Sequence, residues 1–250
     1  MAEVYAIGIG PGTPELMTGR AVEVLESCTV VAGYRLYLDQ LGPMIAGKRL
    51  ISSGMRQEIM RCREALEAAL AGEWVAVVSS GDAGVYGTAG LLLELCEIER
   101  YRGIDVEVVP GVTAALAAAA LVGAPFMNDF AVLSLSDLMT DRELIRRRIR
   151  AVAACDLPVA FYNPRSTKRE ELLIDAVEVF RKSGGDTLPA AVVHNAFRDG
   201  QRIDLVTLEN FPISEVNMTS IVIFGNSQTV VRGNRFYCRR GYREKHEFEA

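Results

Sequence analysis

The chain has 250 residues, half of them hydrophobic, with 27 basic against 32 acidic side chains and a net charge of −5. That length can bury the cores of one large or two medium domains, and the acidic balance disfavours nonspecific binding to nucleic acid. Five cysteines without a C-x-x-C pair, and only two histidines (His194 and His246), predict reduced thiols in a cytoplasmic protein and no protein-held metal.

Residues 4–9 are an apolar run that predicts the first strand. It leads into Gly8-Ile9-Gly10-Pro11-Gly12 and then a helical pattern over 15–27. Open α/β sheets bind ligands at such strand ends. The dinucleotide fingerprint does not fit. It needs a third packing glycine and an acid about 20 residues on, and Pro11 has no N–H to give to a phosphate. A glycine-lined crevice for a nucleoside without phosphate fits the residues, with a plain tight turn as the alternative. Residues 29–32 predict a second strand, 56–71 a helix and 74–79 a flat, uncharged, buried strand. Ser79-Ser80-Gly81-Asp82-Ala83-Gly84-Val85-Tyr86-Gly87 then forms a second strand-end glycine loop. Asp82 there either bonds a ligand or closes an Asx turn or helix cap. A helix over 89–100 and a strand over 106–109 lead to a third such turn, Val109-Pro110-Gly111-Val112-Thr113-Ala114, which opens an alanine-rich helix over 113–121. The apolar segment 112–122 is too short to span a bilayer, and Met1-Ala2-Glu3 predicts no leader peptide.

Gly123-Ala124-Pro125 breaks the series and a second one follows. Strands are predicted at 130–134, 158–162, 190–195, 202–206, 220–224 and 235–238, with helices over 141–154 and 168–183. The late strands lack intervening helices, which predicts antiparallel pairing. The fold class is therefore α/β in two domains, 1–125 with the glycine loop and 126–250, the first sheet mainly parallel and the second mixed. In the second half Ser134-Leu135-Ser136-Asp137, Tyr162-Asn163-Pro164-Arg165 and His194-Asn195-Ala196 each end a predicted strand; singly, each reads as an ordinary loop. His194 reads as a satisfied core histidine before a cobalt ligand. Arg146-Arg147-Arg148 with Arg150, and the basic cluster from Arg232 to Lys245, read as solvated.

These loops, with Gly33-Tyr34-Arg35-Leu36-Tyr37-Leu38, Asp129-Phe130 and Gly225-Asn226-Ser227-Gln228-Thr229, span nearly the whole chain in order. The sequence resembles the two-domain tetrapyrrole methyltransferases that use S-adenosylmethionine, and within them the enzymes acting at carbon 17 in cobalamin biosynthesis. The glycine loop is shared by the wider class; segments 33–38, 134–137 and 226–229 resemble the carbon-17 enzymes more specifically. Two positions depart from the pattern. Thr13 follows the Gly-Pro-Gly where an Asp is usual, and Asn128 precedes Asp-Phe where the carbon-17 enzymes often carry His. No proton-transfer role carries over to an amide, which does not titrate near neutral pH.

The resemblance implies a cofactor trough between the two domains, a homodimer, and S-adenosylmethionine held by Pro11, Gly81, Asp82, Val85, Thr113, Ala114, Tyr162, Asn163 and Ala196. It implies methylation of carbon 17 of precorrin-3B or cobalt-factor III, coupled to ring contraction. Such a substrate carries carboxylates at its rim. Arg35, Arg56, Arg165, Lys168 and Arg198 are candidate partners for them, each equally readable as a surface cation, and Tyr34 is a candidate crevice wall or core residue. Ring contraction needs proton management, for which Asp82, Ser136 and Asp137 are the polar candidates. The rival readings are a relative that methylates another tetrapyrrole position or a protein side chain, and a non-catalytic nucleoside-binding module.

Overall fold

The structure, a computed structural model, describes residues 3–54, 56–166 and 169–246. It contains two compact units, residues 1–114 and 115–250. The division falls earlier than the predicted one at 125/126. The short strand at Gly123–Ala124 pairs with a strand near the C-terminus, so the helix leading into it folds with the second unit.

The first unit runs β1 (Val4–Gly8), α1 (Gly19–Ser27), β2 (Val30–Tyr34), α2 (Arg35–Leu41), β3 (Arg49–Ser53), α3 (Glu58–Leu70), β4 (Val75–Ser79), α4 (Ala89–Cys96) and β5 (Val106–Val109). The sheet order is β3-β2-β4-β1-β5, all parallel. Alternation along each strand sends Val4, Ala6, Val75 and Val77 to one face, against residues of α3 and α4. Tyr5, Ile7, Ala76 and Val78 go to the other face, with Ala21, Val24 and Leu25 of α1 and Leu38 and Leu41 of α2. A sheet covered on both faces needs uninterrupted apolar strands, which is why 74–79 carries no charge. The predicted helix over 15–27 is shorter than expected. Thr18 in an extended conformation accepts the Ala21 N–H and caps α1, leaving a 3₁₀ turn over Pro14–Leu16 before it. Sequence periodicity missed α2 and β3; β3 is an edge strand with Arg49, Leu50 and Ser52 exposed, so its pattern is not apolar.

The second unit runs α5 (Ala114–Val122), β6 (Gly123–Ala124), β7 (Ala131–Ser134), α6 (Arg142–Ala154), β8 (Val159–Tyr162), α7 (Glu171–Gly184), β9 (Pro189–His194), β10 (Arg202–Thr207), β11 (Ser220–Phe224), β12 (Thr229–Arg232) and β13 (Arg235–Cys238). The main sheet has the order β10-β9-β11-β8-β7. β7 and β8 are parallel, while β11 is antiparallel to both β8 and β9 and β10 antiparallel to β9. The sheet is mixed, and β7, β8 and β9 share one direction. Its core sets Phe161, Val192, Val222 and Phe224 against Ile145 and Ile149 of α6 and Leu172, Leu173, Ala176 and Phe180 of α7. A smaller sheet, β12-β13-β6, completes the unit. The Asn226–Thr229 motif is a structural turn here: Asn226 Nδ2 donates to the Asp156 carbonyl at 3.0 Å, and the Ser227 N–H to the Asp156 carboxylate at 3.0 Å. Among the described residues, no helix is long and apolar enough to cross a membrane.

Candidate functional site

In the first unit the loops after β1, β4 and β5 close on one another at the C-terminal edge of the sheet. The Ile9 N–H donates to the Ser79 carbonyl and the Gly10 N–H to the Gly81 carbonyl, each at 2.9 Å. A Cβ on Gly10 would stand 2.3 Å from Gly81 Cα, and one on Gly111 would stand 2.3 Å from the Gly81 oxygen. The glycines are there because three backbones approach within a side chain's width. The Gly10–Pro11 peptide is cis. Asp82 organises the same junction. Its Oδ1 accepts the Gly84 N–H at 2.8 Å, an Asx turn, and its Oδ2 accepts the Gly111 N–H at 3.0 Å. Ser79 Oγ lies 2.9 Å from Thr88 Oγ1 beneath the loop. Because all five strands are parallel, Tyr34 at the end of β2, Arg35 directly after it and Arg56 shortly after β3 lie on this same edge. Tyr34 packs edge-on against Tyr37 with ring centroids 5.3 Å apart, half-buried. Arg35 and Arg56 are exposed, and Val85, Thr113 and Ala114 half-buried. An open groove of about 870 Å³ on the outer side of α3 takes in Arg56 but none of the glycine loops.

In the second unit the common direction of β7, β8 and β9 brings the Ser134–, Tyr162– and His194– loops to one sheet edge. Asn163 and Asn195 sit at φ 50° and 46°, and Phe197 at 56°. Such conformations are sparsely populated outside glycine and cluster at ligand-binding loops. The Tyr162 hydroxyl accepts the Ala115 N–H at 2.7 Å, which satisfies a first-turn donor of α5. Asn163 Nδ2 donates to Ser134 Oγ at 3.0 Å. Asp137 Oδ2 accepts from Arg142 Nε at 2.6 Å, and its Oδ1 lies 3.4 Å from Arg169 Nη1. These guanidiniums, Arg142 foremost, hold the Asp137 carboxyl below the usual aspartate range. Arg169 also donates to Ser136 Oγ at 3.1 Å and to the Asn163 carbonyl at 3.4 Å. It thereby ties two of the three loops together, and it was not among the sequence candidates. Its neighbours in sequence were: Arg165 turns instead to Glu170 and to the Ser214 and Val216 carbonyls at 3.0 and 3.2 Å, and Lys168 lies outside the described residues. Ala196 is half-buried, and the Arg198 N–H closes its loop on the Asn195 carbonyl at 2.9 Å.

His194 is buried within β9. Its Nδ1 lies 2.9 Å from Ser220 Oγ, and its Nε2 lies 3.2 Å from Asp204 Oδ2 and 3.1 Å from Arg202 Nη2. It is the satisfied core histidine expected from the sequence. Asn128 donates to the Arg239 carbonyl at 3.1 Å, a backbone tether. Burial pushes the Cys28 and Cys62 thiols up to about 11, which leaves them protonated and inert at neutral pH. Ser134 lay in a motif the sequence marked, whereas Arg169 carried no such signal: its bonds to Ser136 and Asp137 span 33 and 32 residues.

Glycine-rich, backbone-lined loops at the C-terminal edges of α/β sheets are where such folds bind small molecules. The chain belongs to the tetrapyrrole (corrin/porphyrin) methylase family, whose profile matches residues 3–212. It is 43% identical to the probable cobalt-factor III C(17)-methyltransferase of Salmonella typhimurium, over 94% of this chain and 98% of that protein. It is 38% identical to the cobalt-factor III methyltransferase of Priestia megaterium, over 98% of this chain but 46% of that longer protein. The crystal structure of the methyltransferase CobJ superposes with a TM-score of 0.90 at 33% identity, covering 96% of this chain and all of that one. Uroporphyrin-III C-methyltransferase of Thermus thermophilus, in complex with S-adenosyl homocysteine, gives a TM-score of 0.66 at 26% identity, covering 90% and 97%.

Proposed function

We propose that this protein transfers a methyl group from S-adenosylmethionine to carbon 17 of precorrin-3B or cobalt-factor III, with contraction of the ring, in cobalamin biosynthesis. The observation that carries this reading is the 43% identity to a carbon-17 methyltransferase over nearly the full length of both chains. The donor set at the strand ends fits the cofactor. Backbone amides and carbonyls, small hydroxyls and an asparagine suit an adenosine and an amino-acid moiety, and Pro11, which has no N–H to give, disfavours a phosphate nest. Pro11, Gly81, Asp82, Val85, Thr113, Ala114, Tyr162, Asn163 and Ala196 are the residues we assign to it. When bound, the cofactor supplies an already activated methyl group. The protein's share is alignment of the acceptor carbon, which lowers a barrier by up to roughly 10 kcal/mol, and exclusion of water from a reactive macrocycle.

Tyr34, Arg35, Arg56, Arg165, Lys168 and Arg198 remain our candidates for the substrate's rim. Of these, Arg165 is already engaged by Glu170 and two carbonyls, so its contribution is through the loop it braces. Ser136 and Asp137 are assigned to the substrate side. With its carboxyl held ionised by Arg142, Asp137 is a weak base, and its role is to orient Arg169 and Ser136. Asp82, with both oxygens taken by backbone N–H groups, keeps the glycine loops after β4 and β5 in register for the cofactor.

The deciding experiment is mass spectrometry of the product formed from labelled S-adenosylmethionine with precorrin-3B and with cobalt-factor III in parallel. A methyl gained at carbon 17 is expected. A methyl at another ring position, or on a protein, assigns the chain to a different member of the family. Tight binding of S-adenosylhomocysteine without transfer to either substrate leaves only a nucleoside-binding module. We also read the protein as a cytoplasmic homodimer, for which sedimentation velocity should give about twice the 27.3 kDa chain mass.

A further inference from the structure

Arg61 is 3% exposed, on the inward face of α3 beside Cys62, Ala65 and Leu66. Its Nη1 donates to Ser53 Oγ at 2.6 Å, and its Nε is buried with no hydrogen-bond partner among the described residues. No carboxylate pairs with it among those residues. Arg20, Arg49, Arg100, Arg142 and Arg146 each have one. Arg169, whose Nε is likewise unpartnered, has Asp137. The setting adds to the cost. Arg61 lies in the first turns of α3, where the aligned peptide dipoles are positive and disfavour a cation. A desolvated, uncompensated charge is expensive, and a fold retains one when something from outside completes it.

The position says what that is. Ser53 ends β3 and pairs in register with Tyr34 at the end of β2, so the guanidinium reaches up to the ligand-binding edge of the sheet. Ser53 Oγ, accepting from Arg61, keeps its own hydroxyl hydrogen to donate. We propose that Arg61 and Ser53 form a receptor for a carboxylate, and that its occupant is one of the carboxylate side chains at the tetrapyrrole rim. The identity of the occupant rests on the methyltransferase reading above; the need for an anion does not.

The test compares the parent protein with Arg61→Met and Arg61→Lys, reading melting temperature, cobalt-factor III affinity by absorbance titration and S-adenosylhomocysteine affinity by calorimetry. Removing an unpaired buried cation should leave the ligand-free Met variant melting at or above the parent. Its affinity for cobalt-factor III should fall about 30-fold or more, the lower bound for losing one partner of a desolvated charge pair, with homocysteine-cofactor affinity unchanged. A lower melting temperature with parental cobalt-factor III affinity would make Arg61 a structural residue and overturn the proposal. If the Met variant does not fold, Arg61→Lys decides. It keeps the charge but loses the planar fork, so weakened cobalt-factor III binding supports the receptor and parental binding overturns it. If the parent itself binds no tetrapyrrole, the methyltransferase reading fails, and acetate and inorganic phosphate decide Arg61 separately. A melting temperature that rises with anion in the parent and not in the variants keeps the receptor; equal rises in all overturn it.

Discussion

A single methyl group added at Gly10 would stand 2.3 Å from Gly81 Cα and 2.4 Å from the Val112 carbonyl oxygen, both backbone atoms that cannot swing away. Gly90, exposed in α4, has open space in the same direction. Gly10→Ala should therefore destabilise the protein by about 1–3 kcal/mol through overpacking. Gly90→Ala should stabilise it by about 0.5–1 kcal/mol through a less flexible unfolded chain. Urea titrations of the two variants check the contrast, and equal shifts would mean the three loops are not rigidly packed. Asp137 gives a second test. Its carboxyl is held below the ordinary value by Arg142 and Arg169. A depressed acid contributes stability that is fully present above its unfolded pKa of about 3.9 and is lost as pH falls through the lower folded value. The stability gap between parent and Asp137→Asn should be constant at neutral pH and close below about pH 4. Turnover of the variant should fall while S-adenosylhomocysteine affinity holds, and a pH–rate profile that loses an ionisation near neutrality in the variant would restore Asp137 as a proton carrier. The sequence marked Asp137 and the glycines through their motifs. It did not mark Arg61, although a basic residue on the same helical stripe as Cys62, Ala65 and Leu66 was in principle a signal.

At the level of elements, the apolar runs at β1, β2 and β4 were readable because these inner strands of the first sheet are covered on both faces. β3 was not, because an edge strand with exposed residues lacks that pattern. The run Arg146 to Arg148 read as a solvated face, yet Arg146 is pinned between Glu143 and Asp175 and links α6 to α7. The second unit's core is held by an aromatic cluster in which Phe161, Phe180, Phe211 and Phe224 meet edge to face at 5.2–6.1 Å. Phe161 is fully buried within it, and Phe161→Ala should cost about 3–5 kcal/mol. Guanidinium denaturation measures it, and a loss near zero would mean that the cluster rearranges to fill the space.

For the whole molecule, the testable quantity is linkage between ligand and fold. A ligand that binds only the folded chain stabilises it by about 2.7 kcal/mol at a hundredfold excess over its Kd. S-adenosylhomocysteine should raise the melting temperature of metal-stripped protein, because the residues assigned to it are backbone and small polar groups; a rise that vanishes on chelation would show that a metal takes part. Most of the strands and helices, the parallel and mixed character of the two sheets, and the three glycine turns followed from the sequence alone, since periodicity and glycine placement are local properties of a chain; α2, β3, β6 and β12 did not. Which loops touch was decided only in three dimensions. Asp82 reaches the Gly111 N–H 29 residues on, Arg169 reaches Asp137 from 32 residues away, and α5 joins the second unit through the pairing of β6 with β13. The unpaired charge of Arg61 belongs to the same category: burial and missing partners are properties of packing, and no window of sequence contains them.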